Sequence, residues 1–248
     1  ITNTRVTDRE SLQVELKSLF GQSFRLSDRT IKSYQSWLNM VEKNAQHDIA
    51  QHVNKALTPI RQLTALQEAL SLADMPQRIE CFDVSHTQGT ATVASCVVFT
   101  TIGVTNSEYR RFTIKSITPG DDYAAMHQVL LRRYTRQKQE EAVLPDLILI
   151  DGGKGQLRQA IEVMQELQTT HIPLLAVAKG EERKPGNETL FLNDANTVIQ
   201  LPKESMAFHL IQIIRDEAHR FAVTFHRQQR GQRMKRSRLS DVPGLGPK

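Results

Sequence analysis

The sequence predicts an α/β protein in which helices flank a mixed sheet of five strands, preceded by a small α/β or helical segment. Two observations carry this prediction. Residues 147–150 (Leu-Ile-Leu-Ile) are a short apolar run without alternation, which is typical of a strand buried on both faces. From residue 76 onward, three strand patterns are followed by alternating helix and strand patterns, an order typical of a mixed sheet.

Residues 1–75 differ in character from the rest and are predicted to form a separate segment. Strand candidates lie at 1–6 and 23–26, and leucines at helical spacing indicate a helix between them. A polar helix is expected over about 35–57, with Trp37, Leu38 and Val41 on its buried face. A further leucine stripe over 63–72 leads into the core. No residue of this segment indicates catalysis.

The remaining elements are read from alternation, helical spacing and turn residues. Because a meander followed by right-handed crossovers returns to its first strand, we expect the first and fourth strands to be parallel neighbours. The predicted elements are three strands at 78–85, 92–101 and 107–114, a helix after 119–122, a strand at 147–150, a helix at 156–167, a strand at 173–179, a hairpin through 189–192 and 197–201, and a last helix at 204–226.

Asp83 and Asp151 are expected at neighbouring strand ends, where ligands bind in sheets of this kind. Two carboxylates this close repel each other unless a positive charge lies between them, and oxygen ligands suit Mg²⁺ or Mn²⁺. A plainer interpretation also fits, in which one aspartate caps a helix and the other pairs with a lysine such as Lys154. Asp83 disfavours that interpretation because Val84 and Ser85 continue its strand before any turn.

A third ligand is available in the last predicted helix. Its apolar stripe includes Ile211, Ile214 and Ala218, and a polar flank carries His219. If the stripe packs on the sheet, the flank reaches over the strand ends, where His219 would act as a ligand or as a proton shuttle. A single histidine on a helix is more often a surface or packing residue. His219 is therefore a candidate ligand only because Asp83 and Asp151 are expected beside it.

Composition favours a nucleic-acid partner. The 248 residues carry a net charge of +5, and six basic residues with no acid among them crowd the run from Arg227 to Arg238. The alternative explanation is that the basic run is a solvated linker whose charge only keeps it soluble. Cys81 and Cys96 lie in apolar strand patterns and are predicted to be reduced core residues of a cytoplasmic protein. No stretch is apolar for long enough to cross a membrane, so no membrane partner is expected.

Five motifs, in this order, resemble the C-terminal half of the UvrC family, the nucleases of bacterial nucleotide excision repair. The motifs are Ile79-Glu-Cys-Phe-Asp-Val-Ser-His86, Pro119-Gly-Asp-Asp-Tyr-Ala124, Leu149-Ile-Asp-Gly-Gly-Lys-Gly-Gln156, Val177-Ala-Lys-Gly180 and Arg215-Asp-Glu-Ala-His-Arg220. The resemblance divides the chain into a preceding segment (1–75), a nuclease domain (76–230), and a basic linker with the truncated start of a helix-hairpin-helix domain (231–248). The resemblance therefore implies that the sequence is a fragment of a longer protein.

The resemblance implies a ribonuclease H-like fold related to endonuclease V. It also implies a metal site of Asp83, Asp151 and His219 that cuts the damaged DNA strand on the 5′ side of a lesion, within a complex with UvrB and indirectly UvrA. Asp122 matches a residue associated with the same incision, although it or Asp121 is expected to cap a helix. A different possibility is a non-catalytic module that only positions UvrB and DNA.

DNA phosphates are expected to contact Lys154, Lys179, Arg110 and Arg111. Lys154 lies in a glycine-rich turn with exposed backbone N–H groups, and Lys179 follows a strand. The turn at 152–155 lacks the spacing and the Ser or Thr of a nucleotide-binding P-loop, which excludes a nucleotidase.

Overall fold

The computed structural model contains two compact units, Ile1–Leu57 and Thr58–Lys248. The predicted boundary at 75/76 stays a prediction, while the compact units divide earlier because the leucines at 63, 66 and 70 belong to the core of the sheet. The predicted strand at 1–6, Lys179 and the tail from 236 lie outside the described residues. The structure describes residues 8–23, 25–26, 35–87, 91–115, 117–118, 120–178 and 188–235.

The described part of the first unit is helical. Helix α1 (Arg9–Phe20) begins where the Asp8 carboxylate accepts a hydrogen bond from the Ser11 amide, and it ends at Gly21 in the left-handed conformation. Ser23, Arg25 and Leu26 are not in a strand, contrary to the prediction for 23–26. The second helix, α2 (Gln35–Leu70), is one continuous helix rather than two.

The predicted buried face of the polar helix is wrong. Trp37 is 68% exposed and Val41 is 60% exposed, and Leu38 is half-buried. An apolar stripe on a helix is buried only where another apolar surface covers it. Within the described residues, nothing covers Trp37 or Val41.

The second unit is built on one mixed sheet, and the sheet is wider than the five predicted strands. The strands are β1 (Arg78–Thr87), β2 (Ala91–Thr100), β3 (Gly103–Val104), β4 (Arg110–Thr113), β5 (Leu147–Asp151), β6 (Leu174–Ala178), β7 (Thr189–Leu192) and β8 (Val198–Ile199). The order across the sheet is β3-β2-β1-β5-β6-β7-β8, and β4 also pairs with β2. The hairpin of β7 and β8 pairs with β6, and β3 pairs with β2, so their backbone groups join the sheet and extend it to eight strands.

Three further helices complete the unit: α3 (Asp122–Gln139), α4 (Lys154–Glu166) and α5 (Met206–Lys235). Apolar residues of α3 and α4 pack in the core on one face of the sheet, and those of α5 and the end of α2 pack on the other. The mixed α/β architecture follows the sequence prediction. In the described part of the chain, no helix combines the length and hydropathy needed to cross a bilayer.

Strand β1 pairs in parallel with β5, as predicted, and the register is fixed at its start. The Asp146 carboxylate accepts hydrogen bonds from the backbone N–H groups of Gln77 and Arg78, at 2.8 and 2.9 Å, and the Asp146 N–H donates to the Arg78 carbonyl. From there the pairing runs to Asp83 opposite Asp151. The two predicted catalytic carboxylates are therefore neighbours in one row of the sheet.

The two cysteines are buried and free, as predicted. Cys81 belongs to the core beneath α5, whereas Cys96 belongs to the core beneath α3 and α4. Because the sheet lies between these two cores, their sulfur atoms face away from each other.

Glu80 is fully buried on the face of the sheet that packs against α3. Arg133 donates two hydrogen bonds to its carboxylate at 2.5 Å, Tyr134 donates one at 3.1 Å, and Arg78 donates two more at 3.0 and 2.8 Å. Burial raises the pKa of Glu80, but the bonds and charges of Arg133 and Arg78 outweigh it, and the net pKa is lowered. A buried charge is tolerated here because it is compensated by charge and hydrogen bonds.

Glu80→Gln should lower the free energy of unfolding by about 3 kcal/mol at neutral pH, because it leaves the buried Arg133 without its counter-charge. Urea unfolding measures this change. Since the pKa of Glu80 is lowered on folding, its contribution is present above the ordinary value of 4.5 and is lost as the pH falls below it. The difference in free energy of unfolding between the wild type and Glu80→Gln should therefore become smaller at acidic pH.

Glu140→Gln is the matched control, since Glu140 forms an exposed pair with Arg136 one helical turn away. It should change the stability little at any pH. A loss as small for Glu80→Gln as for Glu140→Gln would show that the buried network does not stabilise the fold.

Candidate metal and catalytic site

The site is built first on two carboxylates at the sheet edge. Asp83 lies on β1 and Asp151 is the last residue of β5, and their Cα atoms are partners in the parallel ladder. Asp83 is buried, and its Oδ2 accepts a hydrogen bond from the Ser85 hydroxyl at 3.1 Å. That bond fixes the rotation of the carboxylate, as an orienting partner does for a metal ligand.

Helix α5 brings the third side chain. The predicted apolar stripe of α5 is buried at Ile211, Ile214 and Ala218, so the helix lies with this stripe on the sheet. The polar flank then carries His219 over the strand ends, as predicted. His219 Nδ1 lies 3.4 Å from Asp83 Oδ2, and the side chain of His219 is 56% exposed. The imidazole therefore lies between the buried carboxylate and solvent.

Ser95 and Arg111 hold the turn of α5 around His219, and both lie beside Asp83 in one row of paired residues across the sheet. Ser95 on β2 pairs with Asp83, and Arg111 on β4 pairs with Ser95. The buried Ser95 hydroxyl donates to the carbonyl of Ala218 at 3.1 Å, and the Arg111 guanidinium lies 4.0 Å from the centroid of the Phe221 ring. These contacts lie on either side of His219 in the sequence. They fix the turn of helix from which the imidazole extends.

One ligand atom from each of Asp83, Asp151 and His219 lies within 4.8 Å of the other two. Ligand atoms roughly 2.0–2.2 Å from one ion are about 3 Å apart in neighbouring positions and about 4.3 Å apart across it. The 3.4 Å separation of His219 from Asp83 falls in this range. The other separations are at most 4.8 Å, which exceeds this range by no more than about 0.5 Å, so these residues fit a divalent cation.

The glycine-rich turn after β5 opens α4 beside this site. An added Cβ at Gly152 would lie 1.7 Å from Gln156 Oε1, and that oxygen accepts a hydrogen bond from the Gly153 N–H at 3.1 Å. An added Cβ at Gly155 would lie 2.3 Å from the Tyr123 ring. A side chain at either position would have to displace the Gln156 amide or the Tyr123 ring, so glycine allows both groups to lie close to the backbone.

The plainer interpretation of the aspartates assigned one of them to helix capping. The N-cap of α4 is Gly153, and the Gln156 side chain closes its first turn. Lys154 Nζ lies 5.0 Å from the centroid of the Phe191 ring, on the exposed start of α4. The capping function is thus fulfilled by Gly153 and Gln156.

Asp121 and Asp122 divide as the sequence suggested. Asp121 is the N-cap of α3, and its carboxylate accepts a hydrogen bond from the Ala124 N–H at 2.9 Å. Asp122 lines a cleft of about 590 Å³ with Lys154 and the glycine-rich turn. It is not one of the three residues grouped as metal ligands.

The predicted DNA-binding arginines lie on β4. Arg110 is exposed and donates to the carbonyls of Ser107 and Tyr109, at 3.1 and 2.8 Å. Arg111, as above, stacks on Phe221. Lys179 cannot be placed, since it lies outside the described residues.

Other charged residues of the α5 motif stabilise the helix. Arg215 pairs with Glu188 at 2.6 Å, and Glu217 accepts hydrogen bonds from Arg220 and Tyr109. The hydrogen bond from Arg220 lowers the pKa of Glu217, while burial and the Glu217 charge raise the pKa of Tyr109. The motif therefore combines one candidate ligand with residues that fix its surroundings.

Sequence reasoning missed Ser95, and it treated Ser85 only as a residue that continues the strand. The position of Ser95 opposite Asp83 depends on the β1–β2 register, which no residue pattern reveals. The polar residue within the otherwise apolar run of β2 was the one available signal.

The family model described as the UvrC RNase H endonuclease domain matches residues 67–223. "UvrABC system protein C" of Alkalilimnicola ehrlichii is 50% identical over 98% of the chain, which covers 40% of that protein. The protein of the same name from Pseudomonas aeruginosa is 49% identical over the whole chain, which covers 41% of it. The chain thus spans about two fifths of the length of these curated relatives.

Among solved structures, the chain is similar to endonuclease V from Streptomyces avermitilis. The TM-score is 0.39 and the sequence identity is 14%, over 71% of this chain and 93% of that one. Human endonuclease V is similar with a TM-score of 0.34 and 18% identity, over 49% of this chain and 58% of that one.

Changing one candidate ligand should weaken Mn²⁺ binding at least tenfold, because Asp151→Asn removes the negative charge of one ligand and His219→Ala removes the imidazole. Electron paramagnetic resonance of free Mn²⁺ measures the affinity without any catalytic readout. His209→Ala is the control, since His209 is an exposed histidine of the same helix. Equal affinities for the wild type and both ligand variants would exclude the proposed ion site.

Ser95→Ala should lower the free energy of unfolding by about 1 kcal/mol, the typical contribution of one hydrogen bond. It should also weaken Mn²⁺ binding several-fold, because the turn that carries His219 loses its anchor on β2. Val98→Ala, a cavity-forming change on the same strand, should lower stability without weakening Mn²⁺ binding. Unchanged Mn²⁺ affinity in Ser95→Ala would show that Ser95 does not position the histidine.

Proposed function

The chain belongs to the UvrC RNase H endonuclease domain family, and on that premise we propose that it hydrolyses a phosphodiester bond of DNA. The proposed reaction is the 5′ incision of a damaged strand during nucleotide excision repair, with Asp83, Asp151 and His219 holding Mg²⁺ or Mn²⁺. The observation that carries the proposal is the convergence of these three side chains, which come from two strands and a helix.

The donor set favours a divalent cation at this place. Two carboxylates offer hard oxygen ligands and balance the two positive charges of a divalent ion, and the imidazole makes Mn²⁺ more acceptable than in an all-oxygen site. When bound, such a cation supplies Lewis acidity toward the phosphate and the attacking water. The chain itself contributes rigidity, because Ser85 orients Asp83 and Ser95 anchors the α5 turn.

Substrate reaches the site from the exposed side of His219. The start of α4 points its backbone N–H groups and its positive dipole end toward the same edge, which favours a phosphate there. We propose that Lys154, Lys179, Arg110 and Arg111 contact further phosphates. Asp122 faces the cleft beside Lys154, and we propose that it assists the incision rather than holding the ion.

The wider context of the reaction follows the family. The relatives are named as components of the UvrABC system, and we propose that this chain acts on damaged double-stranded DNA already bound by UvrB, with UvrA acting earlier. The expectation of a cytoplasmic location belongs to the same proposal.

A nicking assay on lesion-containing duplex DNA, with UvrB and with Mg²⁺ or Mn²⁺, tests the catalytic proposal. Asp151→Asn should cut at least about 100-fold more slowly than the wild type, since a lost ligand costs more than the roughly 10–100-fold of an orienting partner. His219→Ala should be impaired as well, and less severely in Mn²⁺ than in Mg²⁺. His209→Ala should cut at the wild-type rate.

The alternative is a module that binds DNA and UvrB without cutting. Wild-type and Asp151→Asn chains that nick at the same rate would point to that alternative and would contradict the catalytic proposal. The position of the nick relative to the lesion is read on the same gels, so a cut on the 3′ side would overturn the assignment of the incision.

A further inference from the structure

A cavity of about 480 Å³ opens between β1, β4 and α3, away from the three candidate ligands. Half of its twelve lining residues are arginines, a fraction that stands out in a chain whose net charge is only +5. The arginines of this cavity, called the arginine cavity below, are Arg78, Arg110, Arg111, Arg132, Arg133 and Arg136.

Acidic residues neutralise only part of this charge. Glu80 pairs with Arg133 and Arg78, Glu108 pairs with Arg78, and Glu140 pairs with Arg136. The Arg111 guanidinium is turned to the opposite face of the sheet, where it stacks on Phe221 of α5. The other five guanidinium groups meet three carboxylates, which leaves an excess of two positive charges. Like charges held this close repel each other, so the cavity favours an anionic ligand.

Arg110 and Arg132 are the two arginines best placed for such a ligand. Within the described residues neither has a carboxylate partner: Arg110 donates only to backbone carbonyls, and Arg132 lies 5.5 Å from the centroid of the Phe112 ring. Both are exposed at the rim. Below them, Arg133 is held rigidly by the buried Glu80. The cavity therefore combines a fixed base with two unneutralised charges at its mouth.

The chemistry of the arginines indicates phosphate. A guanidinium presents its N–H groups as a planar fork that matches two phosphate oxygens, and it keeps its charge at any physiological pH. The pair of Arg133 and Glu80 shows this geometry within the fold, because Arg133 donates one hydrogen bond to each carboxylate oxygen of Glu80, both at 2.5 Å. Several neighbouring guanidinium groups can bind successive phosphates of one nucleic-acid backbone.

The arginine cavity opens on the face of the sheet that packs against α3, whereas Asp83 and His219 lie on the α5 face, so a phosphate chain that serves both must pass the edge of the sheet at β4. Arg110 on β4 lies in the sheet row next to that of Asp83 and two strands away, about 10 Å at the usual strand spacing. Arg78 lies five residues before Asp83 on β1, about 17 Å along the strand. These spans correspond to about three to five base pairs at 3.4 Å per step.

We propose that the arginine cavity binds backbone phosphates of the DNA strand a few nucleotides away from the phosphate that is cut. This proposal rests on the proposed function, because it takes DNA as the substrate of the neighbouring site. The cavity would position the substrate without taking part in the chemical step.

The test is fluorescence anisotropy of a short labelled DNA duplex, with the whole 248-residue chain, in EDTA and over a range of NaCl concentrations. The double variant Arg110→Gln/Arg132→Gln should bind about five- to tenfold more weakly near 0.1 M salt, and its salt slope should fall by about one to two. Because both arginines are exposed, the variant should fold, and an unchanged urea midpoint checks this.

The matched control is Arg61→Gln/Arg158→Gln, which removes the same charge from two exposed arginines that do not line the cavity. It should bind DNA nearly as well as the wild type. An equal loss in both double variants, or no loss in either, would overturn the proposal. A cavity variant that keeps its DNA affinity but no longer binds labelled poly-glutamate would instead assign the cavity to an acidic protein partner.

The DNA-binding test of the arginine cavity can succeed or fail independently of the nicking assay, because binding is measured in EDTA, where no cleavage is needed. Asp151→Asn should keep its DNA affinity while it loses cutting, and the cavity variant should lose affinity. A wild-type chain that binds through the arginine cavity and yet never nicks DNA would support this inference and contradict the catalytic proposal.

Discussion

The parallel pairing of β1 with β5 is the constraint on which the site depends. Side chains alternate between the two faces of a strand, so a shift of one residue would turn Asp151 away from Asp83 and toward the opposite core. The chain prevents this shift at the start of the ladder, where the Asp146 carboxylate bonds the backbone of Gln77 and Arg78. The buried apolar residues on both faces of β5 reinforce the same register.

The same alternation gives β1 two buried carboxylates with different consequences. Glu80 faces α3, where two arginines and a tyrosine satisfy it and lower its pKa, so its charge is compensated inside the fold. Asp83 faces α5, where it contacts the Ser85 hydroxyl and the exposed imidazole of His219. Two acids three residues apart thus differ in their surroundings, because one lies among cations and the other lies at the edge that carries His219.

The sequence allowed much of this arrangement to be predicted. The apolar run at 147–150 and the order of elements predicted that Asp83 and Asp151 would meet, and the apolar stripe of α5 predicted the side on which His219 lies. These predictions succeeded because burial on one face imposes a regular spacing on the residues. Motif order then predicted the family, which the match over 67–223 confirms.

What escaped prediction depends on contacts between distant elements. Trp37 and Val41 have the spacing of a buried face, but the spacing does not say whether a partner surface exists. The hairpin of β7 and β8 was predicted as an excursion, and its pairing with β6 depends on free backbone groups at a sheet edge, which carry no sequence signal. The arginine cavity escaped for the same reason, because its arginines come from β1, β4 and α3 and lie up to 58 residues apart.

The row Asp151–Asp83–Ser95–Arg111 shows how one sheet can link two sites. Its inner half supplies candidate ligands, and its third member anchors the helix that brings the histidine. Its outer member, Arg111, stacks on Phe221 of that helix, while the neighbouring Arg110 faces the arginine cavity. Strands hold these four positions at fixed spacing, and neither side-chain rotation nor loop movement changes that spacing. A phosphate chain bound at the outer end would therefore meet the candidate ligands at a distance set by the backbone. The same rigidity holds together residues that lie far apart along the chain.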